Sequence, residues 1–256
     1  MSTARLDIPV IALDETDSTN AYAIAAVRQG QHRPPFWVTA KRQTAGKGRD
    51  GRAWASVAGN LHASLVVSLD CDVRVAPQVA LVAGVGVIDA LRTLAMGQSV
   101  PKIDDLRLKW PNDILISQSK CGGILVQTTP DPATDRTVAV IGIGLNVVAH
   151  PPIDGRETTN LTAEGFGGCA DDVFSHVALE IDAALQVWDF GTGFSTIRTR
   201  WMAAATRIGT AMSVHAGSAI TEGFFAGLDE DGALLMRDAR GQTQRYWFGD
   251  VVLGRA

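Results

Sequence analysis

Cysteine is scarce in this chain. Its three thiols, Cys71, Cys121 and Cys169, are odd in number, widely spaced and in no CxxC pair, so neither a disulfide framework nor a thiolate zinc site is supported, and a reducing compartment is implied. The five histidines show no HExxH or comparable spacing, which leaves no visible catalytic metal cage. A basic leader with an apolar core is missing, and no stretch approaches about eighteen uninterrupted apolar residues, so a membrane partner is not expected and a cytoplasmic location is. A strongly basic balance is also absent. The net charge is -4 with both signs mixed, which argues against nucleic acid as the main partner.

What is present begins with Leu108-Lys109-Trp110-Pro111-Asn112-Asp113-Ile114. Leu106 and Leu108 alternate with Arg107 and Lys109 as a half-buried strand would, and Pro111 ends that strand. Asn112 and Asp113 then supply turn chemistry. Lys109 stands at the mouth of a hairpin. An ordinary turn carrying an incidental lysine is the competing reading.

Five cations and three glycines fall within residues 41–54, directly after a strand-like segment. Glycines let backbone amides approach an anion, and Lys47, Arg49 and Arg52 supply charge, so the loop suits a polyphosphate. Gly46, Gly48 and Gly51 match GxGxxG, but no helix follows, which rules out the dinucleotide fingerprint. No GxxxxGK followed by Ser or Thr occurs either. A solvated charged loop remains the alternative. Upstream, Ser18 or Thr19 caps a helix that Gly30 closes, and Ser18, Thr19 and Asn20 could hydrogen-bond a small polar ligand. Two glycine-bearing apolar strands, Lys120 to Val126 and Val140 to Val147, hint at a flat pocket wall, with plain sheet crossing as the competitor.

Taken in order, Ser18-Thr19-Asn20, the basic loop through Trp54, Gly59-Asn60-Leu61, Lys109 to Asp113, Lys120 to Val126, Gly142 to Asn146 and Asp229 to Leu235 resemble the biotin protein ligases over nearly the whole chain. The resemblance departs at Lys47 and Asp50, where the family loop is usually richer in arginine, and at Gln127, where a glutamate is common. Lys47 lacks the bidentate fork of arginine. Position 50 is therefore expected to face away from the phosphates.

The resemblance implies formation of biotinyl-5′-AMP from biotin and ATP with Mg²⁺, then transfer to a lysine of a biotin carboxyl carrier protein. Lys109 and Arg49 would be catalytic. Ser18, Thr19, Asn20, Gln43, Lys47, Gly48, Arg49, Lys109, Gly122 and Gly123 would bind biotin. Arg49, Arg52, Trp54, Asn112, Lys120 and Asn146 would bind ATP and the adenylate. Two other classes stay open: a lipoate or octanoate ligase or transferase, and a non-catalytic biotin-binding regulator.

The order of patterns is α+β. Strands are expected at residues 36–42, 61–69, 106–110, 114–116, 123–128 and 138–147, around helices at 76–96, 172–190 and 194–204. Short strands follow at 212–215, 220–228, 233–237 and 244–248. By the resemblance this is a mixed-sheet domain of the biotin/lipoate ligase type, residues 1–205, with a small SH3-like barrel, residues 206–256. Asp250 falls in the last expected turn. Only residues 1–17 precede the Ser18 segment, too few for the winged helix-turn-helix of bifunctional family members, so no DNA partner is expected. An exposed sheet edge would permit a homodimer.

Overall fold

The computed structural model describes residues 8–254 apart from Asp135, Asp154 and Ser218, and the side chain of Val73. A seven-stranded sheet carries the larger part of the chain. Its strands are β1 (Val10–Thr16), β2 (Phe36–Gln43), β3 (Leu61–Leu69), β4 (Leu106–Lys109), β5 (Asp113–Ile116), β6 (Ser119–Pro130) and β7 (Thr137–Leu145). The order across the sheet is β1-β2-β3-β7-β6-β5-β4. β1 runs parallel to β2 and every other pairing is antiparallel.

Alternation along the strands divides the core. Phe36 and Val38 on β2, Val66 on β3, and Val138 and Val140 on β7 face helix α1 (Thr19–Arg28), meeting Ala23, Ala26 and Val27. Trp37, Leu65, Ala139 and Ile141 point the other way. There they meet α2 (Gln78–Leu94), α3 (Ala170–Trp188) and α4 (Phe194–Ala204). The result is three layers with the sheet in the middle, its centre apolar on both faces where helices cover both. Gly86 makes the α2–α3 approach close: a Cβ there would sit 2.7 Å from Ile181 Cα.

α1 starts as expected. Ser18 is its N-cap, with its hydroxyl 3.5 Å from the Ala21 amide, and Gly30 follows the last turn at φ +65°. The helix therefore points its N-terminal amides at the open edge of the sheet centre, beside Gln43.

The second sheet is antiparallel and five-stranded, in the order β11-β10-β9-β8-β12. It contains β8 (Ala211–Ala216), β9 (Ala219–Leu228), β10 (Leu234–Arg237), β11 (Thr243–Tyr246) and β12 (Asp250–Leu253), which make the small SH3-like unit. Two strands had no counterpart in the sequence expectations. β1 carries Asp14 and Glu15 among its apolar residues, as an edge strand tolerates. β12 replaces the expected turn at Asp250, pairing Asp250–Leu253 with β8 residues far upstream. That correction matters because β12 lines the site.

The small sheet is fastened to the large one at neighbouring residues of a single turn. Lys109 donates to the Val251 carbonyl (3.0 Å) and Trp110 Nε1 donates to the Gly232 carbonyl (3.2 Å). Arg198 on α4 adds two bonds to the Leu228 carbonyl, at 2.9 and 2.5 Å.

Candidate active site

A cavity of about 380 Å³ opens between the start of α1, the glycine strands, the basic loop and the edge of the small sheet. Its α1 end is a neutral hydrogen-bonded floor. Gln43 Oε1, at the end of β2, accepts from the Thr19 amide at 2.9 Å. Ser64 Oγ on β3 lies 2.8 Å from Thr19 Oγ1 and donates to Asn20 Oδ1 at 2.7 Å. The Asn20 amide nitrogen donates in turn to the Leu125 carbonyl (3.2 Å) and to Gln127 Oε1 (2.9 Å). Such a network is rigid because each member holds the next in one rotamer. Behind it, the Gln43 amide donates to Ser56 Oγ (2.8 Å), which meets His62 Nε2 at 2.8 Å. Burial lowers the His62 pKa, so this imidazole is neutral at pH 7.

The wall above the floor is built from absent side chains. Register pairs Gly123 with Gly144, and Leu125 with Gly142. A Cβ at Gly142 would lie 2.4 Å from Asn20 Oδ1, and one at Gly144 would lie 2.6 Å from Trp54 Cε2. Trp54 thus packs against the strand pair; among the described residues its buried Nε1 has no hydrogen-bond partner, and Lys120 Nζ lies 5.7 Å from its ring centre.

Residues 46–54 fold as a small hairpin. Trp54 donates to the Gly46 carbonyl at 2.9 Å and Gly48 to the Arg52 carbonyl at 2.7 Å, with the Arg49–Gly51 turn at the tip. Asp50 is in the left-handed region (φ 55°), outside the cavity, 3.3 Å from Arg52. The tip reaches the small sheet, where Arg49 Nη2 donates to the Gly249 carbonyl (3.1 Å).

The opposite end is charged. Asp113 sits inside three cations: Lys109 at 2.7 Å, Lys120 at 2.5 Å and Arg156 at 3.5 Å. Asp250 from β12 binds Arg156 at 2.6 Å and Arg52 at 3.0 Å. Four cations thus face two carboxylates, and even with Asp50 on Arg52 outside the cavity an excess of positive charge remains that favours an incoming anion. Burial pushes the Asp113 carboxyl up, but the Lys120 and Lys109 ammonium groups outweigh it and hold the pKa down at about 2. Burial lowers the Lys109 pKa, with Asp113 opposing. Lys109 is 7% exposed and Asp113 4%. A buried ion group of this kind is retained at a desolvation cost, which an anionic ligand can repay.

Of the residues singled out in the sequence, Ser18, Thr19, Asn20, Gln43, Lys47, Gly48, Arg49, Arg52, Trp54, Asn112, Lys120 and Gly123 all line the cavity. Three do not. Gly122 is one residue out of phase with Gly123, so it faces the other side of the sheet, where a Cβ would meet Leu145 Cδ2 at 2.4 Å. Asn146 is a strut: its amide donates to the Thr159 carbonyl at 3.0 Å, holding the loop that carries Arg156. Lys109 lines an adjoining cavity of about 320 Å³, which shares Lys120 and Arg156 with the first.

Sequence reasoning missed Arg156, Ser64 and the central place of Asp113. Arg156 lies in an aperiodic loop, and its position depends on Lys120 donating its amide to Glu157 O (2.8 Å) and on Asn60 Oδ1 accepting the amides of Val147, Val148 and Ala149. The Gly59-Asn60 element was the available signal. It marks the clamp of that loop.

Comparison with known proteins gives a consistent picture. The family model described as the biotin/lipoate A/B protein ligase family matches residues 12–146. Biotin--[acetyl-CoA-carboxylase] ligase of Paracoccus denitrificans is 35% identical over 238 residues, covering 90% of this chain and 95% of that one. The bifunctional ligase/repressor BirA of Escherichia coli is 29% identical over 96% of this chain and 74% of its own. Among solved structures, biotin protein ligase from Aquifex aeolicus in complex with biotin and ATP superposes with a TM-score of 0.76 over 97% of this chain and 99% of that chain, at 24% identity. That last likeness concerns the fold alone.

Proposed function

The chain belongs to the biotin/lipoate A/B protein ligase family, and from that membership and its two-ended cavity we infer that it is a biotin protein ligase. It joins biotin and ATP into biotinyl-5′-AMP with release of pyrophosphate, then moves the biotinyl group to a lysine of a biotin carboxyl carrier protein such as that of acetyl-CoA carboxylase. The observation that carries this reading is one cavity with a neutral amide and hydroxyl floor at α1 and excess positive charge at the seam with the small sheet.

In the first step the biotin carboxylate oxygen attacks the α-phosphorus of ATP. A carboxylate-to-phosphorus bond forms, the bond to the bridging oxygen breaks, and pyrophosphate leaves with the electron pair. Two anions approach each other, so cations must lie between them. We assign that work to Lys109 and Arg49, with Arg52, Lys120 and Arg156 around the phosphates and Asn112 and Trp54 beside the nucleotide. Lys109 now spends its charge on Asp113 and the Val251 carbonyl. An anionic ligand at the seam would compete for it. Mg²⁺ is expected on the phosphates; among the described residues no group of three His, Cys, Asp or Glu could hold it, and Asp113 and Asp250 are already engaged by cations.

In the second step the carrier amine attacks the adenylate carbonyl and AMP departs. The mixed anhydride is already activated, so position and exclusion of water dominate. The hairpin of residues 46–54 closing over the adenylate serves both. Ser18, Thr19, Asn20 and Gln43 would hold the biotin head group, with Lys47, Gly48 and Gly123 around it.

We place the division into domains at residues 1–205 and 206–256, after α4. Among the described residues no helix is long and apolar enough to cross a membrane, and a cytoplasmic location is our reading. The neutral floor favours a ureido ring over an aliphatic acyl chain. Biotin-dependent exchange of labelled pyrophosphate into ATP, run beside lipoate and octanoate, tests this. Exchange with biotin alone is expected; exchange with lipoate would move the chain to the acyl ligases, and none with any acid would remove the adenylating activity.

A further inference from the structure

We propose that Gln127 is a positioning residue for the biotin pocket, acting through Asn20 by taking its second amide hydrogen and so holding the carboxamide that the ligand meets in one orientation; this rests on the biotin ligase reading above. Gln127 lies on β6, two residues beyond Leu125 and on the same face of the strand. The Leu125 carbonyl can only accept, so it draws the Asn20 nitrogen toward β6, at 3.2 Å. Gln127 Oε1 takes the second amide hydrogen at 2.9 Å. Both donors of Asn20 are then spent on the sheet.

The oxygen side remains. Asn20 Oδ1 accepts one bond, from Ser64 at 2.7 Å, and a carbonyl oxygen has capacity for another. It lies against Gly142, where a Cβ would come within 2.4 Å. Asn20 and Gly142 both line the ligand cavity. The floor therefore presents an acceptor, which suits a ligand bearing N–H groups. Turning the carboxamide over would aim its oxygen at the Leu125 carbonyl oxygen and its nitrogen at Ser64. The Leu125 carbonyl makes this inversion costly, and Gln127 Oε1 takes the amide hydrogen that Leu125 leaves, so that none is idle and the carboxamide is held at both hydrogens.

Gln127 also lines a further cavity of about 400 Å³ beside α1, with Ser18, Arg28 and Lys47. A leucine at position 127 would fill about the same space while removing the acceptor. That separates hydrogen bonding from space filling.

The test is pyrophosphate exchange kinetics with biotin on the full chain carrying Gln127→Leu, Gln127→Glu, Asn20→Ala and the Asn20→Ala/Gln127→Leu pair. Gln127→Leu should raise KM for biotin about tenfold, since one buried amide hydrogen loses its partner, and leave kcat within about twofold. Gln127→Glu keeps an acceptor and should restore KM to within about threefold. The pair should be no worse than Asn20→Ala alone. An unmodified protein without biotin-dependent exchange overturns this inference together with the ligase reading. An active unmodified protein with an unchanged KM in Gln127→Leu, effects that simply add, or a loss confined to kcat overturns this inference alone.

Discussion

At the α1 end of the cavity, Thr19, Asn20, Gln43, Ser64 and Gln127 satisfy one another as neutral groups, on three strands and one helix of the same sheet layer. At the seam, Asp113, Arg156 and Asp250 come from a hairpin, a loop and a strand of the second sheet, and ion pairs join these three to one another. The difference follows from the work of each end. A head group has to be oriented, and neutral hydrogen bonds do this with little dependence on salt or pH. Two anions have to be brought together, which takes charge that a ligand can recruit, so the seam keeps cations paired to carboxylates until an anion competes for them.

The largest break of this comparison is Lys109→Ala. It removes a cation from the charged end and should lower adenylate formation by about 10²- to 10³-fold, while biotin binding without ATP falls far less. Single-turnover pyrophosphate release checks the first claim and equilibrium dialysis with labelled biotin the second. Near-normal release would mean that the seam does not drive the chemistry.

Asp113→Asn comes next. The carboxylate holds Lys109, Lys120 and Arg156 within one small volume, and without its charge they repel one another. A stability loss of about 3 kcal/mol is expected, typical of a buried pair broken on one side. Urea denaturation reads it. The corresponding change at the neutral end, Gln43→Leu, should cost about 1 kcal/mol, and equal losses would erase the distinction.

The two ends also differed in how far the sequence disclosed them. The capped start of α1, the alternation around Lys109 and the glycines of β6 and β7 are local patterns, and local geometry made them what they were expected to be. Arg156 and Asp250 carry no such pattern. One sits in an aperiodic loop held by Asn60 and Lys120, the other opens a four-residue strand whose partner, β8, lies far upstream. Gly122 shows a subtler limit. Two adjacent glycines read alike in a sequence, yet a period of two sends one to the ligand wall and the other against Leu145. Lys109 was legible as special, but its burial between Asp113 and Val251 depends on the small sheet closing over it.

Gly142→Ala sharpens the comparison from the neutral side. The new methyl would lie 2.4 Å from Asn20 Oδ1, so Asn20 has to move and the floor loses its shape. KM for biotin should rise about tenfold, with KM for ATP within about twofold, because the seam is untouched. Parallel rises in both would show that the ends act as one unit.

The two ends are also expected to differ in how stability depends on pH. Asp113 has its pKa held at about 2 in the folded chain, below the ordinary carboxylate value, and Asp250 is lowered too, burial being outweighed there by Arg156 and Arg52. A depressed folded pKa means that the folded state holds its carboxylates charged where the unfolded chain has begun to take up protons. Their contribution is thus complete above about pH 4 and is lost as pH falls toward 2. For Asp113 the gap amounts to about 2 kcal/mol. Chemical denaturation between pH 6 and 2 should show a loss for the unmodified chain that exceeds the loss for Asp113→Asn by about that amount, whereas Gln127→Leu should track the unmodified chain throughout. Parallel curves for the unmodified chain and Asp113→Asn would mean that the charged end contributes nothing to stability through ionisation, and that its carboxylates serve only to keep the cations in place for a ligand.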